Sequence, residues 1–359
     1  MTTADGADAP GAPRPLLCVA RTLPGLDLDA LASRFEVRAV PAEGGRAALF
    51  AALGEARVVI LSYLDPVDEA LLAAAPRLRH VASYGVGVNH LDLPACRRRG
   101  VVVTNTPGIL TDATADHAMA LLLAAARRVA EGDRAIRAGA WTAVDPGWLL
   151  GTQVTGKTVG VVGFGRIGQA FARRAAGFRL QLLYAGPREV TFPGARRVPL
   201  ERLLEESDFV SLHVPLTFPG TADEATYHLM DEARLRTMKP TAYLVNTSRG
   251  PVVDEQALAQ ALRERRIAGA ALDVFEREPL PDDSPLRDPS LVLNLRLFPH
   301  AASAARATRL SPDPEIGMAG RTVQAVLDVL EGRYEGDPSK MPYVVNKEAF
   351  GDARHEERS

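Results

Sequence analysis

Short apolar runs alternate with helical patterns along the first third of the chain. The runs lie at residues 16–19, 35–40, 57–62, 80–84 and 101–104, and helix-like stretches such as 68–76 and 92–100 separate them. Strands that are apolar throughout and are separated by helices are typical of a parallel sheet with both faces covered. The pattern therefore predicts a doubly wound α/β domain over about residues 15–104.

A second series of the same kind begins at Thr158. Its apolar runs lie at 158–162, 180–186, 208–215, 241–250 and 267–275. Helical patterns lie at 168–177, at 254–266 with Asp254 as the predicted N-cap, and at 315–332. We therefore predict a second doubly wound parallel sheet, so that the fold class is α/β with two domains.

Residues 116–139 carry the pattern of one long helix, and its first half is apolar on nearly every side. A helix of this kind has to be buried, either between domains or against a second subunit. An ordinary helix of a domain core is an equally good interpretation.

Composition narrows the class of protein. The chain has 359 residues, of which 47% are hydrophobic and 24% charged, as expected for a soluble protein of two globular domains. A net charge of −2 provides no basic field for nucleic acid or for an anionic membrane. The longest apolar run, 118–126, is far shorter than the roughly 20 residues that span a bilayer.

The number of cysteines and the composition of the first residues indicate the cellular compartment in which the protein is expected. Two cysteines, Cys18 and Cys96, are too few for a disulfide framework or a cysteine-based zinc site, so we expect a reducing, cytoplasmic environment and no metal. The first residues lack the apolar core of a signal peptide, and we expect a disordered tail over residues 1–14.

A glycine fingerprint opens the second series. Gly163, Gly165 and Gly168 form a G-x-G-x-x-G motif between the apolar strand 158–162 and the helical pattern 168–177. The first glycine permits a tight turn, the second lets the backbone approach a pyrophosphate, and the third allows the helix to pack on the strand. The motif in this context predicts a dinucleotide site at the helix N-terminus.

The end of the next strand indicates which dinucleotide is used. About twenty residues after such a fingerprint, an acid usually binds the ribose 2′-hydroxyl of NAD. Here the chain has Gly186 and, two residues later, Arg188, which favours the 2′-phosphate of NADP over NAD. Two alternatives stay open: Arg188 is a solvated surface arginine, or Glu189 binds the ribose.

Three polar residues stand where strands of the second sheet are predicted to end: Arg249, Glu278 and His300. An arginine can bind a carboxylate through two hydrogen bonds, and a histidine can donate a proton to a carbonyl oxygen. A glutamate beside the histidine orients it and favours its charged form. Each residue taken singly also has an ordinary structural interpretation.

Several motifs together resemble one family. The segments 84–92, 101–108, 156–168, 244–262, 267–281 and 299–303 are similar to those of the D-isomer-specific 2-hydroxyacid dehydrogenases, in the same order. Residues 110–128 and 131–141 resemble the glyoxylate and hydroxypyruvate reductase branch most closely. The resemblance implies a flavodoxin-like substrate domain and a Rossmann NAD(P)-binding domain.

The resemblance also implies residue roles. Arg249 would bind the substrate carboxylate, His300 would be the acid–base and Glu278 its partner. The backbone of Val86 and Gly87 would bind the same carboxylate. The remaining residues would bind the cofactor: Arg166 and Ile167 the pyrophosphate, Val214 and Pro215 the adenosine half, Thr247, Ser248 and Asp273 the nicotinamide end, with Ala302 as a further contact.

The implied domains are residues 15–104 plus 302–350 for the substrate and 105–301 for NAD(P), with tails at 1–14 and 351–359. Members are usually dimers, and the resemblance implies a homodimer through residues 116–139.

The implied activity is NAD(P)H-dependent reduction of a small 2-keto acid to the D-2-hydroxy acid, with glyoxylate and hydroxypyruvate as leading substrates. The chain departs from the family pattern at Gly186, in longer segments at 217–228 and 288–299, and at Val144, where hydroxypyruvate reductases often carry an aromatic residue. Two alternatives stay open: a reductase for a larger 2-keto acid, and a nucleotide-sensing protein similar to co-repressors of this fold.

Overall fold

The computed structural model describes residues 13–221, 225–332 and 341–347. The described residues divide into two compact units, one formed by those up to 110 together with those from 304 onward, and the other by those between 111 and 303. The sequence had placed these boundaries near residues 104 and 301. The predicted tail at 351–359 and most of the tail at 1–14 lie outside the described residues.

The strands are short, and most of their residues are buried except on the edge strands Glu36–Ala39 and Ala195–Arg197. In chain order they are β1 (Leu16–Val19), β2 (Glu36–Ala39), β3 (Val58–Leu61), β4 (His80–Ser83), β5 (Val102–Thr104), β6 (Thr158–Val162), β7 (Gln181–Ala185), β8 (Ala195–Arg197), β9 (Phe209–Leu212), β10 (Tyr243–Asn246), β11 (Gly269–Leu272) and β12 (Leu295–Leu297).

The α-helices lie between and after these strands. They are α1 (Leu28–Ala32), α2 (Gly45–Leu53), α3 (Glu69–Ala74), α4 (Leu93–Arg98), α5 (Thr111–Ala126), α6 (Val129–Arg137), α7 (Arg166–Gly177), α8 (Leu200–Glu206), α9 (Glu232–Thr237), α10 (Glu255–Arg263), α11 (Arg306–Leu310) and α12 (Met318–Leu330). Asp254 caps α10, as the sequence predicted, because its carboxylate accepts the N–H of Ala257.

The first unit holds a parallel sheet with the order β2-β1-β3-β4-β5. This is the flavodoxin-like order. Helix α12 returns to this sheet, where Met318 and Val326 pack against residues of β1 and β3 such as Leu17 and Ile60. Asn346 then accepts the N–H of Val103 at 2.8 Å, which attaches the segment 341–347 to the β5 edge.

The second unit holds a parallel sheet with the order β12-β11-β10-β9-β6-β7-β8. The chain runs outward from β6 in one direction and from β9 in the other, which is the Rossmann arrangement with its switch point between β6 and β9. One core lies between the sheet and α8–α10, and a second lies between the sheet and α5 with α7. The fold is therefore doubly wound α/β in both units, as predicted.

The prediction of one continuous helix over residues 116–139 is wrong. Helix α5 ends at Ala126, and Arg128 adopts a left-handed backbone with φ of 53° before α6 begins. The carbonyl of Ala126 accepts the N–H of Thr152 at 2.7 Å, so the returning chain takes a group that a continuing helix would use. Most of α5 is buried, whereas α6 has no buried residue.

None of the helices in the described ranges is both long and apolar enough to cross a bilayer.

Candidate active site

The glycine fingerprint lies at the switch point of the second sheet. Gly163 follows β6 with φ of 90°, and a Cβ there would lie 2.7 Å from the carbonyl carbon of His213, just after β9. A Cβ on Gly168 would lie 2.2 Å from the carbonyl oxygen of Gly163. A Cβ on Gly165 would meet no atom within 4 Å. The first and third glycines therefore allow close packing, and the second faces open space.

Helix α7 begins directly after this open space. Gly165 is its N-cap, and within the described chain no side chain caps the helix. The N–H groups of its first turn, beginning at Arg166 and Ile167, are thus available to an anion, and the helix dipole favours negative charge there. A pyrophosphate fits this cradle because it supplies acceptors that the protein does not.

A buried asparagine shapes the end of β10. The Asn246 side-chain oxygen accepts the backbone N–H of Ser248 at 3.0 Å and its hydroxyl at 2.7 Å, and the amide donates to the carbonyl of Arg249 at 2.9 Å. Thr247 lies between Asn246 and Ser248, and its buried hydroxyl has no hydrogen-bond partner among the described residues. A buried polar atom without a partner is rare, and it fits a site that a bound ligand completes.

The ends of β10 and β11 approach each other closely. A Cβ on Gly250 would lie 1.8 Å from the carbonyl carbon of Phe275, so only glycine permits this contact. It brings Arg249, which is half-buried, to the loop that contains Glu278. The Glu278 carboxylate accepts the N–H of Phe275 at 2.9 Å, which fixes the glutamate at this edge.

His300 and Glu278 are hydrogen-bonded to each other. The Nδ1 atom of His300 lies 2.6 Å from Oε2 of Glu278, and both side chains are only about a quarter exposed or less, at 24% and 20%. His300 has a φ of 51°, an unusual value for a residue other than glycine. Because the glutamate takes Nδ1, the ring presents Nε2 as its second polar atom.

Asp273 stabilises the backbone of residues 300–302. Its carboxylate is fully buried and accepts the N–H groups of Ala301 at 2.7 Å and Ala302 at 2.8 Å. Its carbonyl accepts the N–H of His300 at 2.8 Å. The ring of His117, on α5, brings Nε2 to 3.3 Å from the same carboxylate. These contacts stabilise the left-handed backbone of His300.

Two further carboxylates, those of Glu255 and Glu276, lie near Glu278. Burial raises the pKa of Glu255, and the charges of Glu276 and Glu278 raise it further. The Glu255 carboxylate accepts the N–H of Glu276 at 2.7 Å, and His228 lies 3.0 Å from Glu276. These contacts hold the segment 276–278 against the start of α10, next to the glutamate that contacts His300.

The described residues contain no cluster of three histidine, cysteine or acidic side chains that could hold a metal ion.

The strand edge of the second unit thus combines a dinucleotide cradle, a half-buried arginine and a histidine–glutamate pair. The family model of the D-isomer specific 2-hydroxyacid dehydrogenase NAD-binding domain matches residues 119–302, which is more than half of the chain. The chain belongs to this family. It is therefore an oxidoreductase, and the second unit is its dinucleotide-binding domain.

Known members of the family are similar over most of the chain. The glyoxylate reductase of Korarchaeum cryptofilum is 48% identical over 303 residues, covering 82% of this chain and 89% of that protein. A crystal structure of NADPH-dependent glyoxylate/hydroxypyruvate reductase from Sinorhizobium meliloti, in complex with NADP and malonate, has a TM-score of 0.74 at 29% identity and covers 94% of this chain and 98% of its own. The D-lactate dehydrogenase of Aquifex aeolicus, complexed with NAD and lactic acid, has a TM-score of 0.74 at 26% identity, with 92% and 99% covered.

The other predicted site residues lie at strand ends. Val214 and Pro215 follow β9, and Gly186 and Arg188 follow β7, with Arg188 exposed. In the first unit, the half-buried Val86 and Gly87 follow β4. Their roles in cofactor and substrate binding stay predictions.

Sequence reasoning missed three residues of this region. Asn246 ends the apolar run of β10 and was not singled out, although an asparagine in such a run indicates a buried side chain that needs hydrogen-bond partners. His117 lies on α5, and only the folded sheet brings it to Asp273. Arg197 belongs to the unpredicted strand β8, and its guanidinium lies on the carbonyl oxygen of Gly186, at 2.8 Å from Nη2.

Proposed function

We propose that the enzyme uses NAD(P)H to reduce a small 2-keto acid to the 2-hydroxy acid, glyoxylate to glycolate or hydroxypyruvate to D-glycerate. The observation that carries the proposal is the His300–Glu278 pair, 2.6 Å apart, at the same sheet edge as the dinucleotide cradle. The likeness to glyoxylate reductases over most of the chain supports the substrate class.

The residues divide the work between binding and proton transfer. When bound, the nicotinamide cofactor supplies the hydride for C2 of the keto acid. Arg249 binds the substrate carboxylate through its planar guanidinium. His300 donates a proton from Nε2 to the carbonyl oxygen, and Glu278 holds the ring and its positive charge through Nδ1. Asp273 keeps the histidine backbone in place.

A panel of 2-keto acids tests this function. We expect turnover of glyoxylate and hydroxypyruvate with NADPH, and lower kcat/KM for keto acids with larger side chains. A preference for a larger keto acid would contradict the substrate assignment. Negligible turnover of every keto acid would contradict the enzymatic proposal and favour a nucleotide-sensing protein.

We also propose that NADPH is preferred over NADH. Gly186 offers no carboxylate to repel a 2′-phosphate, and the exposed Arg188 follows it on the same loop. Charge-assisted hydrogen bonds contribute about 1.5–3 kcal/mol, which corresponds to roughly a tenfold to hundredfold preference. The known relatives include complexes with NADP and with NAD, so the preference rests on these residues.

The Arg188→Ala variant measures that contribution. We expect a roughly tenfold lower kcat/KM for NADPH, because one charge-assisted contact is lost, and nearly unchanged use of NADH. The comparison of both nucleotides in wild type and variant is the control. A wild type that prefers NADH, or a variant that loses both nucleotides equally, would make Arg188 an ordinary surface charge.

Finally, we propose a homodimer that uses the α6 part of residues 116–139. Large apolar side chains are exposed on α6 and on the segment after it, at 58% for Val129, 54% for Ile136, 55% for Trp141 and 71% for Leu150. Burial of such a surface stabilises association. Light scattering should give twice the mass of the chain, and a monomer at micromolar concentration would contradict the proposal.

A further inference from the structure

The edge strand β8 places a second guanidinium at the end of β7. The two strands are parallel neighbours, with Arg197 beside Tyr184. From there the Arg197 side chain donates to the carbonyl of Gly186, at 3.2 Å from Nε and 2.8 Å from Nη2. Nη2 also lies 3.2 Å from the carbonyl of Pro187. The guanidinium is thus fixed over the residue that stands where an NAD-binding acid is expected.

The same strand end borders the glycine fingerprint. A Cβ on Gly186 would lie 3.7 Å from the backbone nitrogen of Phe164, between the first two glycines of the motif. The positive charge of Arg197 therefore lies close to the cradle for the dinucleotide. Its Nη1 group has no hydrogen-bond partner among the described residues, and the side chain is exposed. Two N–H groups and a full charge stay available to an anion.

We propose that Arg197 binds the 2′-phosphate of NADPH and is the main residue that selects this cofactor. The inference rests on the proposed NADPH preference and deepens it. Arg188 is an exposed loop side chain, and it loses rotamer freedom when it binds. Arg197 is already held by two backbone carbonyls, so it presents its charge with a smaller entropic cost. The edge strand, more than the loop, then determines the nucleotide.

A competing role for Arg197 is purely structural. Its bonds to the carbonyls of Gly186 and Pro187 also brace the turn after β7. A brace supports the adenosine site for both nucleotides alike, whereas a phosphate ligand matters only for the phosphorylated one. The two roles therefore differ in whether NAD⁺ binding changes.

Arg196 provides a matched control. It is the neighbour of Arg197 on β8, and successive side chains of a strand point to opposite faces. Its guanidinium lies 2.9 Å from Glu206, away from Gly186. Arg196→Ala removes the same charge from the same strand, so it reports the effect of net charge without the local contact.

The experiment is a titration of the full-length protein with NADP⁺ and with NAD⁺ by isothermal calorimetry. In Arg197→Ala we expect the dissociation constant for NADP⁺ to rise roughly tenfold to hundredfold, with NAD⁺ nearly unchanged. Arg196→Ala should change neither. Arg197→Lys keeps the charge but not the planar fork, and should recover only part of the NADP⁺ affinity.

Each other outcome has a distinct meaning. Equal losses for NADP⁺ and NAD⁺ in Arg197→Ala would make Arg197 a structural brace and overturn the inference. Tight NADP⁺ binding in both the wild type and Arg197→Ala would leave the NADPH preference standing and remove Arg197 from it. A wild type that binds NAD⁺ more tightly would overturn both. Unchanged melting temperatures show that the variants are folded.

Discussion

Replacing His300 by alanine is expected to lower kcat for keto-acid reduction by roughly 10²–10⁴-fold, the usual contribution of a general acid. The structure supports this size of effect because His300 is the ring that Glu278 orients at 2.6 Å, on a loop held by the buried Asp273. Steady-state kinetics with saturating keto acid and cofactor measure it.

Two further measurements separate proton transfer from structural damage. The affinity for the nucleotide should be nearly unchanged in His300→Ala, because the histidine acts on the substrate. In Glu278→Gln kcat should fall while the affinity for the nucleotide stays nearly unchanged, because the imidazole loses the carboxylate that orients it at Nδ1. Near-normal turnover in His300→Ala would remove the histidine from the mechanism.

Replacing Arg249 by glutamine is expected to lower kcat/KM for the keto acid by roughly 10²–10³-fold. The arginine can form two charge-assisted hydrogen bonds to the substrate carboxylate, together worth about 3–4 kcal/mol. Arg249→Lys retains the charge without the planar fork, so we expect a smaller defect that is seen mainly in KM.

The affinity for the nucleotide is the control for the Arg249 variants, as it is for His300→Ala. The side chain follows β10 and donates to the carbonyl of Ser248 at 2.7 Å, so its loss could also disturb the loop. Calorimetric titration with the nucleotide in the absence of keto acid reports such a disturbance. An equal loss of nucleotide and keto-acid binding would indicate a structural role and contradict the assignment.

Local motifs were predictable from the sequence because their physics is local. The fingerprint Gly163–Gly168 lies between an apolar strand and a helix, and each glycine satisfies a constraint set by its immediate neighbours. Asp254 as an N-cap is another local feature. The Glu278–His300 pair joins residues 22 apart through a sheet edge; predicted strand ends made the two residues candidates, and the family resemblance assigned them to each other.

Features that depend on distant chain segments could not be predicted. The break after Ala126 arises because Thr152 returns to its carbonyl, although the sequence through Arg128 continues to favour a helix. Strand β8 has the sequence Ala-Arg-Arg, which lacks an apolar alternation, so nothing local marked Arg197 as a neighbour of Gly186. Pairing along the sheet brought these residues together.

The stereochemistry of one product tests the central claim most directly. Hydroxypyruvate, reduced with NADPH by the wild-type enzyme and analysed by chiral chromatography, should give D-glycerate. The same reaction with His300→Ala should give little product in the same time. L-glycerate, or the absence of any product from the wild type, would contradict the assignment of this site as a D-specific 2-keto acid reductase.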